Sequence, residues 1–345
     1  METSAFDYQL PEDRIAQQPL AERDAARLLV DQGPGAAPRH RCVRDLPDLL
    51  EPGDVLVVNT TRVLPARLHL RKATGGAAEV LLLERTSDGS WEALVRPGRR
   101  LPPGTELRPP SGGDDLVVVV GAELGDGRRS VVVRTGGDEL AALVRHGEAP
   151  LPPYITESLE DPERYQTVFA DRPASAAAPT AGLHLTPQVL ARCEERGVVC
   201  AEVELVVGLG TFRPITAEVV EDHEMHSERY VVPEPTTAAC ERARADGHRV
   251  VAVGTTTVRA LESAAATGEA SGRTRLFITP GFEFRAVDRL MTNFHLPRSS
   301  LLVLVEAFVG PRWRDLYAAA LAERYRFLSF GDAMLVSRRP SSSGT

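Results

Sequence analysis

His184 is the side chain best suited to moving a proton near neutral pH, because imidazole has its ordinary pKa in that range. It lies in APTAGLHL, a loop (178–185) that also holds Thr180 and Gly182 and shows no apolar periodicity. A catalytic role is favoured over a capping or structural one. Glu204, in VELVV, is either sheet-edge decoration or a buried charge that needs a cation, since an unpaired buried carboxylate is costly. Gly208-x-Gly210, followed by Thr211 and Phe212, is not a dinucleotide fingerprint, because the third glycine and the following helix are missing. Gly254-Thr255-Thr256-Thr257, with Arg259 just beyond, sets a glycine and hydroxyls between a strand end and a helix start. That suits an anion or a ribose hydroxyl, and equally plain N-capping by Thr256 or Thr257. Asn293 and His295 flank Phe294, an arrangement that either stacks and hydrogen-bonds a base or closes a capped turn. His223-x-x-His226 stands beside Glu221, Asp222 and Glu224. Without a third ligand at set spacing it argues against zinc, so an ordered loop or a solvated face, and no metal, is expected there.

The elements that must position these groups follow from local chemistry. Thr186 is a good N-cap, Pro187 fits the first helical position, and Gly197 stops the helix in the left-handed conformation. Residues 198–207 follow as a β-branched run, read as a strand buried on both faces. A helix that precedes a parallel strand starts at the edge where that strand ends. The loops holding His184 and Gly208 therefore converge at the carboxyl edge of a sheet, where open α/β folds bind ligands. The pattern recurs as a helix over 237–246, Gly247, a strand over 249–253 and a helix over 258–266. A turn over 290–297 then precedes an apolar helix, 299–309, capped by Ser299 or Ser300. Before these, strands are expected over 27–30 and 55–58, the second preceded by a helix in LPDLLEPGD. From 64 to 150, short β-rich runs alternate with Gly/Pro turns about every ten residues, as in a small antiparallel barrel or sandwich. The fold class expected is α/β: a mixed-sheet α/β main domain (1–62 and 153–338) with an inserted small antiparallel β-barrel domain (63–152). A disordered tail is expected over 339–345.

The chain has 345 residues, 43% hydrophobic and 26% charged, the balance of a soluble globular protein. Its acidic start lacks the apolar run of a signal peptide, and 301–309 is too short to span a bilayer. Four cysteines without a C-x-x-C pair argue for a reducing cytoplasm, with Cys193 read as a solvated helical thiol. A net charge of −8 weighs against nucleic acid as a partner, but Arg67, Arg71, Lys72, Arg96, Arg99 and Arg100 cluster in one segment. Lys72 is the only lysine, and its RKATGG surroundings fit neither a Schiff base nor a Walker loop. No exposed apolar helix demands a partner, so a monomer is expected.

Nine runs occur in order: FDYQLPEDRIAQQPL, VNTTRVLPARL, ERYQTVFA, APTAGLHLT, VGLGTFRP, HEMHSERY, TTTVRALES, MTNFHLPRSSLLVLVEAFVG and ERYRFLSFGDAML. Together they resemble the S-adenosylmethionine:tRNA ribosyltransferase-isomerase family of queuosine biosynthesis. The resemblance implies an α/β domain interrupted by a small β-barrel, acting in the cytoplasm. S-adenosylmethionine is then the ribosyl donor substrate. The acceptor is the aminomethyl group of preQ1, a 7-deazaguanine already at the tRNA wobble position. The product is epoxyqueuosine-tRNA, with adenine and methionine released. The sulfonium acidifies the neighbouring 5′ carbon, so a base must remove a proton there. Ring opening expels adenine, the amine adds to the unsaturated sulfonium, and an alkoxide displaces methionine to close the epoxide. In that scheme His184 moves the proton and Glu204 or Phe212 faces the sulfonium. Gly208, Gly210 and Thr211 hold the donor, joined by Thr180, Gly182 and Thr256. Arg259 takes the donor's carboxylate, and Asn293 and His295 take a purine. Arg62, Arg67, Arg71, Lys72, Arg96, Arg99 and Arg100 grip tRNA phosphates. Two positions depart from the family pattern: Thr60 follows Asn59 where an aspartate is common, and Val206 stands where a histidine is common. The alternatives are a paralogue that transfers a ribosyl or adenosyl group to a small acceptor, and a non-catalytic RNA-binding relative.

Overall fold

The computed structural model describes residues 1–112, 115–125, 127–208 and 214–339, with Arg99 described by its backbone alone. The expected tail beyond 339 lies outside the described residues. The chain forms two compact units: Met1–Thr61 with Pro153–Arg172 and Ala178–Thr345, and Arg62–Pro152 with Pro173–Ala177.

The first unit is built on a nine-stranded mixed sheet. Its centre is four parallel strands in the order Val199–Leu205, Val55–Asn59, Val250–Val253 and Arg289–Asn293. The last three are buried along their whole length, as apolar strands covered on both faces must be. On one side follow Ala333–Ser337, Arg27–Val30 and Arg39–Cys42, and on the other Glu228–Val231 and Ser271–Thr274. The strand read as buried on both faces is shorter and half-exposed: Val199–Leu205 alternates, and Val199 is 45% exposed. The antiparallel neighbour Glu228–Val231 pairs only with Glu204 and Leu205, which leaves the first half of the strand as a sheet edge.

The helix Pro187–Glu195 begins as expected, with Thr186 Oγ1 accepting from the Val189 N–H at 3.2 Å, and Gly197 follows it at φ +82°. Cys193 on this helix is fully buried, not solvated, and all four cysteines are free thiols. Helix Glu234–Ala245 starts three residues ahead of expectation, on the fixed φ of Pro235. Helix Thr255–Thr267 also starts early. Gly254, at φ +89° and ψ 154°, turns the chain from strand to helix in one residue, so the threonines form the first turn and not a loop. LPDLLEPGD holds a 3₁₀ segment, Val43–Leu49, in place of an α-helix, and Pro47 lies inside it. Ser299 caps Ser300–Val309 through the Leu302 N–H. Among the described residues no helix is long and apolar enough to cross a membrane.

The second unit is a closed antiparallel barrel of six strands: Arg67–Lys72, Ala77–Arg85, Trp91–Arg96, Arg128–Thr135, Leu116–Gly125 and Glu106–Arg108. Pairing of Arg71 and Lys72 with Arg108 and Leu107 closes it. Alternation sends Leu68, Leu70, Val80, Ala93, Val118 and Val131 into the interior.

Candidate active site

The four parallel strands end at one edge of the sheet, and the polar side chains there are tied together. Asn59 closes its strand as a clamp. Its Oδ1 accepts from the N–H groups of Thr61 and Leu205, both at 3.2 Å, and its Nδ2 donates to the Leu205 carbonyl (3.1 Å) and to Thr256 Oγ1 (3.2 Å). Next to it a chain of three residues runs across the edge. Thr180 Oγ1 donates to Asn293 Oδ1 at 2.9 Å, and Asn293 Nδ2 donates to His184 Nε2 at 3.0 Å and to the Asp332 carbonyl at 3.4 Å. His184 ends a short 3₁₀ turn, Thr180–His184, that presses against Phe169 and Thr167. A Cβ on Gly182 would meet the Phe169 ring at 2.7 Å, so a larger residue would have to push that ring aside.

Burial sets the charge state of this chain. His184 is 5% exposed, and burial, reinforced by the positive charges of Arg326 and Arg23, lowers its pKa to about 4. It is a neutral base at physiological pH. His295 is likewise buried, its pKa lowered by burial to about 3, with Nε2 2.9 Å from Thr292 Oγ1. Phe294 between Asn293 and His295 is fully buried among Tyr317, Tyr325 and Phe327, so it is core and not a platform for a base.

Three open cavities meet at these residues. One, of about 370 Å³, is bounded by Thr180, Val207, Gly254, Thr256, Asn293 and His295. A second, of about 340 Å³, shares Thr180, Asn293 and His295 and adds Tyr154 and Ser329. The third, of about 280 Å³, has His184, Arg23, Arg164, Leu183 and Ser329 in its walls. The hydrogen bond between His184 and Asn293 joins the third cavity to the other two.

Other expected site residues are placed as follows. Arg259 forms a buried ion pair with Glu228 and donates from Nε to the Leu276 carbonyl at 3.1 Å. Glu228 Oε1 in turn accepts the N–H of Gly208 at 3.1 Å. The carboxylate expected at Arg259 is thus already supplied from within the protein. Glu204 is paired with Arg172 at 2.9 Å, which answers its need for a cation. Thr60, at the first family departure, is buried, and its carbonyl accepts from the Asp171 N–H. Val206, at the second, donates its N–H to the Arg229 carbonyl. Gly210, Thr211 and Phe212 lie outside the described residues. His223 packs edge-on against Phe277, and among the described residues no group of three His, Cys, Asp or Glu is placed to hold a metal.

On the barrel, Arg67, His69 and Arg71 share the outer face of one strand. Arg71 stands opposite Arg108, Lys72 Nζ donates to the Arg100 carbonyl at 3.4 Å, and Arg96 ends its strand exposed. Arg62 and Arg67 are half-buried, and the side chain of Arg99 is not described.

Sequence reasoning missed Asn59, Arg23, Arg164 and Arg326. All but Arg23 fall inside the nine runs, which was the available signal. Nothing in the sequence shows that their side chains meet at one edge.

The model of the family described as Queuosine biosynthesis protein matches residues 3–336. S-adenosylmethionine:tRNA ribosyltransferase-isomerase of Moorella thermoacetica is 52% identical, over 97% of this chain and 100% of its own. The proteins of that name from Thermus thermophilus (52%, over 96% and 98%) and Thermotoga maritima (49%, over 97% and 100%) are comparably similar. A crystal structure of the S-adenosylmethionine tRNA ribosyltransferase of Thermotoga maritima superposes with a TM-score of 0.55, covering 96% of this chain and 99% of that one at 40% identity. On identity over nearly its full length, the chain belongs to the S-adenosylmethionine:tRNA ribosyltransferase-isomerase family of queuosine biosynthesis.

Proposed function

We propose that the protein transfers and isomerises the ribosyl group of S-adenosylmethionine onto preQ1 at the wobble position of tRNA, giving epoxyqueuosine-tRNA, adenine and methionine. The observation that carries this reading is the buried chain Thr180–Asn293–His184 at the carboxyl edge, with cavities on both sides of it. A neutral imidazole can take the proton from the 5′ carbon next to a sulfonium; the lowered pKa of His184 keeps it unprotonated near neutral pH and makes it a weaker base than a free histidine. The Asn293 amide, 3.0 Å from its Nε2, orients the imidazole at the edge of the cavities. Thr256 Oγ1, which accepts from Asn59, keeps its own O–H for the ribose or for adenine as it leaves, at the N-terminal turn of helix Thr255–Thr267. The exposed cations of the barrel, Arg71 and Arg96, meet tRNA phosphates.

The test is mass-spectrometric. Incubation with S-adenosylmethionine and preQ1-bearing tRNA should release adenine and methionine with a matching gain in tRNA mass, while unmodified tRNA should give neither. Release without any change in the tRNA would point to a small-molecule acceptor. Donor binding without release on either tRNA would point to a non-catalytic relative. His184→Ala should lower turnover by about a hundred-fold or more while donor binding survives; turnover within a few-fold of the parent would remove His184 from the mechanism.

A further inference from the structure

The cavity beside His184 is lined by Arg23 and Arg164, with Arg326 outside its wall but close enough to act on His184. Arg23 donates to the carbonyls of Gln166 (2.8 Å), Leu183 (3.1 Å) and Glu163 (2.9 Å). Arg164 donates to the carbonyls of Leu20 and Ala21, and Arg326 to that of Gln18. Among the described residues none of the three makes a carboxylate ion pair, whereas Arg249, Arg259 and Arg312 in the same unit pair with Asp54, Glu228 and Asp31. Arg164 Nε and Arg326 Nη1 are buried and have no hydrogen-bond partner at all. Buried N–H donors left unmade are expensive, and charged ones more so. Burial and the like charge of Arg164 lower the pKa of Arg23, and the carboxylates of Asp161 and Glu163 offset this only in part. Apart from His184 and Ser329, the rest of the wall is apolar, with Pro19, Leu20, Leu183 and Phe330. Main-chain carbonyls fix the guanidiniums in place, so the pocket is preorganised for an oxyanion attached to a short aliphatic arm.

We infer that this cavity is the subsite for the α-carboxylate of the donor's methionyl end, with Arg23 and Arg164, which line it, as its cations. This rests on the donor reading above. A carboxylate held here leaves the sulfonium, a short chain away, at His184, with ribose and adenine directed toward Thr180 and Thr256. Arg259 also has a buried Nη2 without a hydrogen-bond partner, but its charge is already met by Glu228, and a second carboxylate there would lie beside a like charge. A phosphate of the tRNA presents the same oxyanion chemistry, and the experiment separates the two sources.

Dissociation constants of S-adenosylmethionine and of its decarboxylated analogue are measured by calorimetry for the full chain, Arg164→Gln and Arg23→Gln. The affinity of each protein for preQ1-tRNA is measured alongside. The parent should prefer the carboxylated donor, and each variant should lose about ten-fold in donor affinity while binding the analogue as before. An undiminished preference in the variants overturns the assignment. So does a loss of tRNA affinity with donor affinity intact, which would give the pocket to a phosphate. A parent that binds neither donor nor analogue would instead refute the donor reading itself. Two variants at separate main-chain anchors, each checked by far-UV circular dichroism, keep the result readable if one fails to fold.

Discussion

Burial acts alike on His184 and His295, with consequences that differ by place. At His184, in the wall of one cavity, it keeps neutral an imidazole that accepts from the Asn293 amide. At His295, bonded to Thr292 in the wall of the other two, it makes protonation costly. The linkage to stability has a definite sign. An unfolded histidine takes up its proton near pH 6.5, whereas the folded ones refuse it until about 4 (His184) and about 3 (His295). Their contribution is complete above pH 6.5 and is lost as the pH falls toward those values. Asp332, whose pKa burial raises, works in the opposite direction. His295→Gln should therefore flatten the fall of unfolding free energy below pH 6.5, by at most about 1.4 kcal/mol per pH unit, in urea titrations at pH 6.5, 5.5 and 4.5. Parallel curves for parent and variant would show that His295 does not titrate this way.

Among the elements, the strand-to-helix turn at Gly254 does most to assemble the edge. It puts Thr256 in the first helical turn, where its Oγ1 meets Asn59, and sends Thr257 Oγ1 back to the Val253 carbonyl at 2.7 Å. A side chain at φ +89° and ψ 154° is strained even with room for it, so Gly254→Ala should cost about 1–3 kcal/mol by chemical denaturation. A cost below about half a kcal/mol would mean the turn can relax into another conformation. This element also marks how far the sequence could be read. Gly197, Gly247 and Ser299 mark helix ends through local chemistry, and each stands where that chemistry puts it. Helix Thr255–Thr267 is buried all round for its first nine residues, so no polar face set its register and its start was placed three residues late. The same limit applied to the site. His184, Thr180 and Asn293 stood out by residue type, and two sit in Gly- or Pro-bounded loops. That Glu228 neutralises Arg259 was not legible, because the two are brought together only by pairing of distant strands.

For the whole molecule, a formal charge of −8 coexists with exposed cations on the barrel, Arg71 and Arg96 among them, so any grip on tRNA there is local and electrostatic. Four phosphate contacts would lower tRNA affinity about a hundred-fold between 50 and 200 mM salt. The joint substitution Arg71→Gln with Arg96→Gln should reduce the slope of log affinity against log salt by about two. Filter binding across that range checks both, and a flat profile would rule out the barrel as the tRNA surface.

The central strand Val55–Asn59 is flanked only by Val199–Leu205 and Val250–Val253, both encoded far downstream. At ribosomal rates of about 5–20 residues per second, the apolar segment VLVVN leaves the exit tunnel well before either neighbour exists. In that interval the whole barrel is synthesised, from pairings that lie within its own sequence. The strand meanwhile waits with both hydrogen-bonding edges open, which makes it the segment of the nascent chain that a holdase would meet first.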